Sequence, residues 1–285
     1  MSSPSSSAQA ALRALATQLR EMRSDAGLTG QGLATQLGWH RTKISRIEHA
    51  ARPPSAQDVR AWCRACDAED RADDLVEALR SYGDAYVEWR RLQRTGLRRL
   101  QDSYVPLYER TRLLRVYSSM VVPGLVQTPE YIAAVFDVVG RRRGTRNDVD
   151  QAVEARMARR RVLYEGDHRF GFVLEESVLR SGLGGRDVMA GQLQNLLEAM
   201  ALPSVSLGII PARADRPQWQ LEQFTLYDHE QVEVELLSAR VTITTPSEIR
   251  LYADAFEDLA ATAAYGAAAR ELITAAIVEL DQSDA

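Results

Sequence analysis

The chain has 285 residues, 45% hydrophobic and 26% charged, with a net charge of −4 at pH 7. That balance excludes an intrinsically disordered or collagen-like chain, and no apolar run reaches the roughly 20 residues that a membrane-crossing helix needs. At roughly 100–200 residues per domain, the length predicts two domains.

Residues 1–9, within MSSPSSSAQA, have neither the basic n-region nor the apolar h-region of a secretory signal. They read as a disordered tail, and a cytoplasmic protein is the expectation. From residue 10 to 23, Leu12, Leu15, Ala16, Leu19 and Met22 recur at helical spacing. Gly27 stops this helix, and Thr29 is placed to cap a second one with Leu33, Ala34 and Leu37 inward and Gly38 at its end. A third helix is expected from His40 to about His49, with Ile44 and Ile47 inward. Pro53 and Pro54 interrupt the pattern. Ser55 caps a fourth helix bearing Val59, Trp62 and Cys66, and a long fifth helix is expected over 68–93 with Leu75, Leu79, Tyr82 and Tyr86 on one face.

After about residue 104 the texture changes. Strand-like alternation over 113–122 ends at Pro123-Gly124, and Thr128-Pro129-Glu130 is a helix start. A charged helix is expected over 147–164 and an amphipathic one over 186–201, with Met189, Leu193, Leu196, Leu197 and Met200 on its apolar face. Strands are expected at 170–174, 205–210, 224–227 and 232–244. Thr245-Pro246-Ser247-Glu248 reads as a capping box starting a helix to about residue 264, and a final helix spans about 267–280. The fold class is therefore an all-α five-helix helix-turn-helix domain over 10–95, with its long linking helix, followed by a larger α+β domain over 104–285.

Residues 1–66 hold nine Arg/Lys against four Asp/Glu, so the acidic balance lies in the rest of the chain. A basic module joined to an acidic one suits a DNA reader with a separate controlling domain. Within it, Ala34 and Gly38 permit the close, short turn of a helix-turn-helix, and Leu33, Leu37, Ile44 and Ile47 pin its two helices inward. The outer face of the third helix carries Arg41, Thr42, Lys43, Ser45 and Arg46. These are donors, hydroxyls and cations, which suit base edges and phosphates. The candidate DNA-binding residues are Thr29, Gln31, His40, Arg41, Thr42, Lys43, Ser45, Arg46 and Arg52.

The stretch L-T-x-x-x-L-A-x-x-L-G followed by I-S-x-I-E, from Leu28 to Glu48, resembles the Cro/C1-type, or XRE, family of repressors. The resemblance implies that Arg41, Thr42 and Arg46 read bases and that Lys43 and Ser45 lie near phosphates or the groove wall. It also implies that Glu48 is structural, paired with an arginine such as Arg23 or Arg52. Two positions depart from the family pattern: Gly30 stands where Gln is frequent, and Ala50 where Gly is usual.

The larger domain is similar to that of the actinomycete WhiJ-like regulators through Val122-Pro123-Gly124-Leu125-Val126-Gln127-Thr128 with Tyr131, through Glu175-Glu176-Ser177-Val178-Leu179-Arg180, and through Phe224-Thr225-Leu226 with Val234-Glu235. That similarity implies a protein partner, such as a small acidic protein encoded nearby; the helix-turn-helix resemblance implies double-stranded DNA as partner and a homodimer, and a nucleoid-associated, cytoplasmic location is expected. The similarity of the larger domain leaves open an antitoxin-like module that neutralises a small partner, with DNA binding secondary.

No enzyme is expected. The chain has no G-x-S-x-G, P-loop or dinucleotide fingerprint, and no cofactor or metal is expected. Cys63 and Cys66 form a C-x-x-C without a second ligand pair and read as buried helix residues. Glu175 and Glu176 invite an acid/base reading, as do Glu233 and Glu235, which alternation places on one face of an edge strand. Trp219, Phe224, Tyr227 and Tyr252 are either pocket lining or plain core.

Overall fold

A computed structural model describes residues 4–81, 86–93, 96–143, 148–216, 219, 221–237 and 239–282. The chain divides into two compact units, Met1–Tyr86 with Thr242–Arg250, and Val87–Val241 with Leu251–Ala285.

The first unit contains the helices α1 (Pro4–Asp25), α2 (Gly30–Leu37), α3 (Arg41–Glu48), α4 (Ala56–Ala65) and α5 (Ala72–Ser81), with a 3-10 turn at Glu69–Arg71 before α5. α1 begins at Pro4, so the expected tail is helical from that residue on. The helical stripes converge on one core. Leu15, Leu19, Leu33, Ile44, Ile47 and Trp62 are all buried there. The Trp62 indole N–H donates to the Leu19 carbonyl at 3.0 Å, which satisfies its one polar group inside the core.

The long fifth helix does not form. Asp67 takes a left-handed φ of 53°, Ala68 is non-helical, and the helical path resumes only at the 3-10 turn. α5 ends at Ser81, just before Gly83, a residue with low helix propensity. Beyond it come a strand, β1 (Tyr86–Glu88), and a short helix, α6 (Trp89–Leu92). Tyr82 lies outside the described residues, as does the side chain of Tyr86.

In the second unit α7 (Leu97–Ser103) and α8 (Val105–Arg110) lead into β2 (Leu113–Ser118), shorter than the alternation predicts. After a 3-10 turn at Gly124–Val126 come α9 (Pro129–Arg143) and α10 (Val149–Arg159), with the 3-10 turn Arg160–Leu163 completing the charged helical stretch. The Thr128 cap is as expected, its hydroxyl accepting from the Tyr131 N–H at 3.2 Å. Then follow β3 (Arg169–Glu175), α11 (Glu176–Leu179), α12 (Arg186–Ala199), β4 (Val205–Ile210), β5 (Phe224–Tyr227), β6 (Gln231–Glu235), β7 (Ala239–Ile243), α13 (Pro246–Thr262) and α14 (Gly266–Gln282), of which the end of β7 and the start of α13, Thr242–Arg250, belong to the first unit.

The strands form one mixed sheet of seven in the order β1-β7-β6-β5-β2-β3-β4. β2 pairs parallel with β3 and antiparallel with β5, so Val116 faces Phe172 on one side and Thr225 on the other. β3 pairs parallel with β4, and β5 antiparallel with β6. Phe172, Leu174, Leu193, Leu196, Ile209 and Ile273 form the largest buried cluster, between sheet residues and residues of α12 and α14. Gly208 is required in β4. A Cβ there would sit 2.6 Å from the Tyr265 ring and 2.9 Å from the Ala263 Cβ, where Ile209 exchanges both backbone hydrogen bonds with Ala264 at 2.8 and 2.9 Å.

The segment expected as one strand over 232–244 is two, β6 and β7, joined where the Leu236 N–H donates to the Ala239 carbonyl at 2.8 Å. β6 is interior, between β7 and β5, so Glu233 and Glu235 do not lie on an edge strand. The start of α13 also differs from the expected box. The Ser247 N–H donates to Asp74 Oδ1 at 3.0 Å, and the Ser247 hydroxyl bonds the other oxygen of that carboxylate. A side chain of α5, within the same unit, thus supplies an acceptor to the helix start.

Candidate nucleic-acid interface

The geometry of α2 and α3 follows from four local signals. Thr29 sits at φ −78°, ψ 157°, and its hydroxyl accepts from the Gly32 N–H at 3.0 Å. Gly38 takes φ 65°, ψ 27°, the left-handed conformation that stops a helix at little cost only for glycine. The next residue closes the cap, with the Trp39 N–H donating to the Ala34 carbonyl at 2.8 Å. His40 then caps α3, its Nδ1 accepting from the Thr42 N–H at 3.2 Å. Because Ile44 and Ile47 are buried at 1% exposure, helical periodicity turns the opposite face outward.

On that face Arg41, Thr42, Ser45 and Arg46 are all exposed. The pairs Arg41/Ser45 and Thr42/Arg46 are each four residues apart, so they stand one above the other. Thr29 and Gln31 are exposed at the start of α2, and His40 at the start of α3. Arg52 is exposed beyond the end of α3, where its N–H and that of Ala51 both donate to the Arg46 carbonyl. Among the described residues no carboxylate pairs with Arg41, Arg46 or Arg52. Their donors are therefore free for an outside acceptor.

Lys43, expected near the phosphates or groove wall, also makes internal contacts. It is half-buried, its Nζ 2.6 Å from Asp58 Oδ1 and 3.7 Å from the centre of the Trp39 ring. Asp58 is held in place by the capping box of α4, accepting from the Ser55 N–H at 3.0 Å. Burial pulls the Asp58 carboxyl up, but the Lys43 and Ser55 hydrogen bonds outweigh it and hold the carboxyl below its ordinary value. The ammonium is thus an internal brace between α3 and α4, and a phosphate would have to compete with Asp58 for it.

The acid on α3 is neutralised from α1. Arg23 Nε donates to Glu48 Oε1 at 2.6 Å, so Arg23, and not Arg52, is the partner. Ala50 adopts φ 51°, the conformation for which glycine is usual after such a helix. At Gly30 a Cβ would meet only Ile44 Cγ2 at 3.8 Å, so the glycine there answers to no crowding.

Comparison with known families agrees with this geometry. Residues 14–79 match a family model described as "Helix-turn-helix domain". Residues 101–275, more than half of the chain, match one described as "Domain of unknown function (DUF5753)". The chain belongs to the DUF5753 family. No curated protein and no solved structure matches it. The first unit of this DUF5753 protein carries a helix-turn-helix of the kind found in DNA-binding transcription regulators.

The other sequence candidates fall out differently. Glu175 is buried against Arg216, with Nη1 and Nη2 donating at 2.8 and 2.6 Å, and accepts from the Tyr117 hydroxyl at 2.8 Å. Glu176 pairs with Arg180 at 2.6 Å and accepts from the Ala212 N–H. Both acids are therefore tied into ion pairs. Phe224 and Tyr227 do line a cavity in the second unit. Trp219 is 80% exposed, and Tyr252 packs against Phe224 while donating to Glu222 at 2.7 Å.

Cys63 and Cys66 are buried free thiols, and burial, then the neighbouring Cys66, pushes Cys63 up to about 11. Among the described residues no group of three His, Cys, Asp or Glu could hold a metal ion, and no helix is long and apolar enough to cross a membrane. Sequence reading missed the arginines of α10, because a charged helix reads as a solvated one. Their place beside Gly124 and Gln127 is a tertiary contact that leaves no pattern in the sequence.

Proposed function

We propose that this protein is a sequence-specific transcriptional regulator that lays the helix over residues 39–50 in the major groove of double-stranded DNA. One observation carries the reading: α3 buries Ile44 and Ile47 and leaves Arg41, Thr42, Ser45 and Arg46 exposed, with both arginines unpaired among the described residues. Arginine in that position reads guanine O6 and N7 with two parallel hydrogen bonds, and Thr or Ser reads either base edge. Thr29 and Gln31, at the start of α2, suit a backbone phosphate, because the first N–H groups of a helix point outward there. His40 and Arg52 flank the same face, and Lys43, braced by Asp58, lies on the same helix.

In this reading the protein works as a homodimer on half-sites about 34–36 Å apart, one turn of DNA. The DUF5753 domain controls it by binding a ligand or a small acidic protein encoded nearby, as the WhiJ-like resemblance implies. This reading assigns no catalysis; of the acids that invited an acid/base role, Glu175 and Glu176 are held in ion pairs.

The test is an operator selected from genomic fragments by the full-length protein, followed by titration of the Arg41→Ala/Arg46→Ala double variant. Loss of about 2 kcal/mol or more, with relaxed preference at two base positions, is the expected result. Unchanged operator affinity in a folded double variant refutes α3 as the reading helix.

A further inference from the structure

The second unit contains a cavity of about 200 Å³ lined by residues of α7 to α10, β2, β5 and β6. Two arginines of α10 form part of its wall. Arg159 is only 6% exposed, its guanidinium 4.4 Å from the centre of the Tyr108 ring and 5.3 Å from that of Tyr104. Its Nε and Nη1 have no hydrogen-bond partner and are shut off from solvent. Arg156, beside it, donates to Gln101 Oε1 at 3.0 Å and Gln127 Oε1 at 2.8 Å, both neutral amides. Burial first, and then the charge of Arg159, push the Arg156 guanidinium down to about 10.

Neither arginine has a carboxylate within ion-pair distance among the described residues. The acids of the same wall act on these arginines through charge alone, Glu233 on Arg159 and Glu235 on Arg156, without a hydrogen bond to either. Glu233 lies 3.7 Å from Arg240 and accepts from the Tyr227 hydroxyl at 3.2 Å, and Glu235 is exposed with contacts of its own. A buried guanidinium whose donors have no hydrogen-bond partner is costly unless something fills the gap. The loop at Gly124 passes close to both guanidinium groups. A Cβ at that position would stand 3.6 Å from Arg159 Nη2 and 4.0 Å from Arg156 Nη1. Gln93 Oε1, also on the wall, is a further buried atom without a partner.

We propose that this cavity binds a small organic monoanion, a carboxylate carried on a single ring or short aliphatic body, with Arg159 as its counter-ion. The size follows from the volume, since a dry cavity of about 150 Å³ takes benzene. The single charge follows from the wall: Arg156 is already spent on two amides, and Glu233 and Glu235 would repel a second negative charge. Tyr104, Tyr108, Phe136 and Phe224 supply the apolar surround for the body of the molecule. The site belongs to the second unit alone. Only its use in controlling DNA binding rests on the function proposed above.

The experiment is thermal unfolding and calorimetric titration of the full-length protein with benzoate, phenylacetate and hexanoate, against benzyl alcohol and inorganic phosphate. At least one carboxylate is expected to bind saturably, with the alcohol and phosphate inert. Arg159→Gln is expected to weaken that binding about tenfold or more. Arg159→Lys, which keeps the charge but not the paired donors, should bind more weakly than the parent and serves if the glutamine variant does not fold. The proposal is overturned if none of the three carboxylates binds, if phosphate binds in their place, or if both variants retain full affinity. Operator binding measured on the same samples separates the two readings. DNA binding without carboxylate binding removes this site alone, and carboxylate binding that leaves DNA affinity unchanged keeps the site and removes its role in control.

Discussion

Arg23 of α1 and Glu48 of α3 form a two-pronged ion pair, Nε to Oε1 at 2.6 Å and Nη2 to Oε2 at 3.3 Å, and the same guanidinium donates to the Leu28 carbonyl at 2.5 Å. It ties α1, the turn before α2 and the end of α3 together, and it neutralises an acid on the helix presented to DNA. Arg23→Met should destabilise the protein by about 2–4 kcal/mol in urea unfolding. That is toward the low end for a broken buried pair, because both side chains keep some solvent contact. The double variant Arg23→Met/Glu48→Leu should recover part of the loss, since no unpaired carboxylate then remains. A double variant no better than the single one would show that the pair is incidental to stability.

Lys43 and Asp58 predict a pH signature. Asp58 has a folded-state pKa below its unfolded one. Its contribution is therefore fully present above the unfolded value of about 3.9 and is lost as pH falls through the folded value. The pair is partly exposed, so Lys43→Gln should cost only about 1 kcal/mol or less at pH 7. It should also flatten the acid limb of the stability–pH curve.

On DNA the same variant should leave the salt dependence of binding nearly unchanged. Arg46→Gln should lower the slope of log K against log salt by about one if it meets a phosphate, and relax one base position if it meets a base. A Lys43→Gln slope change equal to that of Arg46→Gln would place the ammonium at a phosphate after all.

Ala50 predicts a near-cancellation. Its φ of 51° is strained for any L-residue by about 1–2 kcal/mol, and glycine would relieve that strain. Against this stand about 0.5–1 kcal/mol of extra chain entropy for glycine and the loss of a methyl buried with Leu12 and Ala16. Ala50→Gly should therefore change unfolding free energy by less than about 1 kcal/mol. Ala50→Val should cost clearly more, because a β-branched side chain is worse in the left-handed region.

Cys63 should be inert. Its thiol is buried and titrates only near pH 11, so almost none is thiolate at pH 8. Iodoacetamide should label neither Cys63 nor Cys66 in the folded protein and both in urea. Native-state labelling of Cys63 at pH 8, measured by mass spectrometry, would contradict the buried, non-redox assignment.

What was legible before folding was local. The caps at Thr29, Gly38 and Ser55 depend on residues within a few positions of one another, and the burial of Leu33, Ile44 and Ile47 depends on a period that repeats along a short segment. The strands at 205–210 and 224–227 likewise announce themselves as isolated β-branched and aromatic runs bounded by polar or turn residues. The reading face of α3 was legible for the same reason, because it is the complement of a buried stripe. Errors appeared where a local pattern continued past a break, as in the helix expected over 68–93 and the strand expected over 232–244. The first resumes only after the left-handed Asp67 and gives way to a strand at Tyr86–Glu88, and the second turns back where Leu236 bonds Ala239.

The sequence by itself thus determined the helix-turn-helix, its outward face and the mixed character of the larger domain. Only the tertiary structure decided the rest. It placed β2 between β3 and β5, brought Asp74 to the start of α13 and committed Lys43 to Asp58. It also set Arg156 and the buried Arg159 in a cavity wall. The physical reason is separation along the chain. A cap or a stripe is an interaction among neighbours, whereas strand order, ion-pair choice and the burial of a charged helix depend on which distant segments meet and on what those segments leave unpaired.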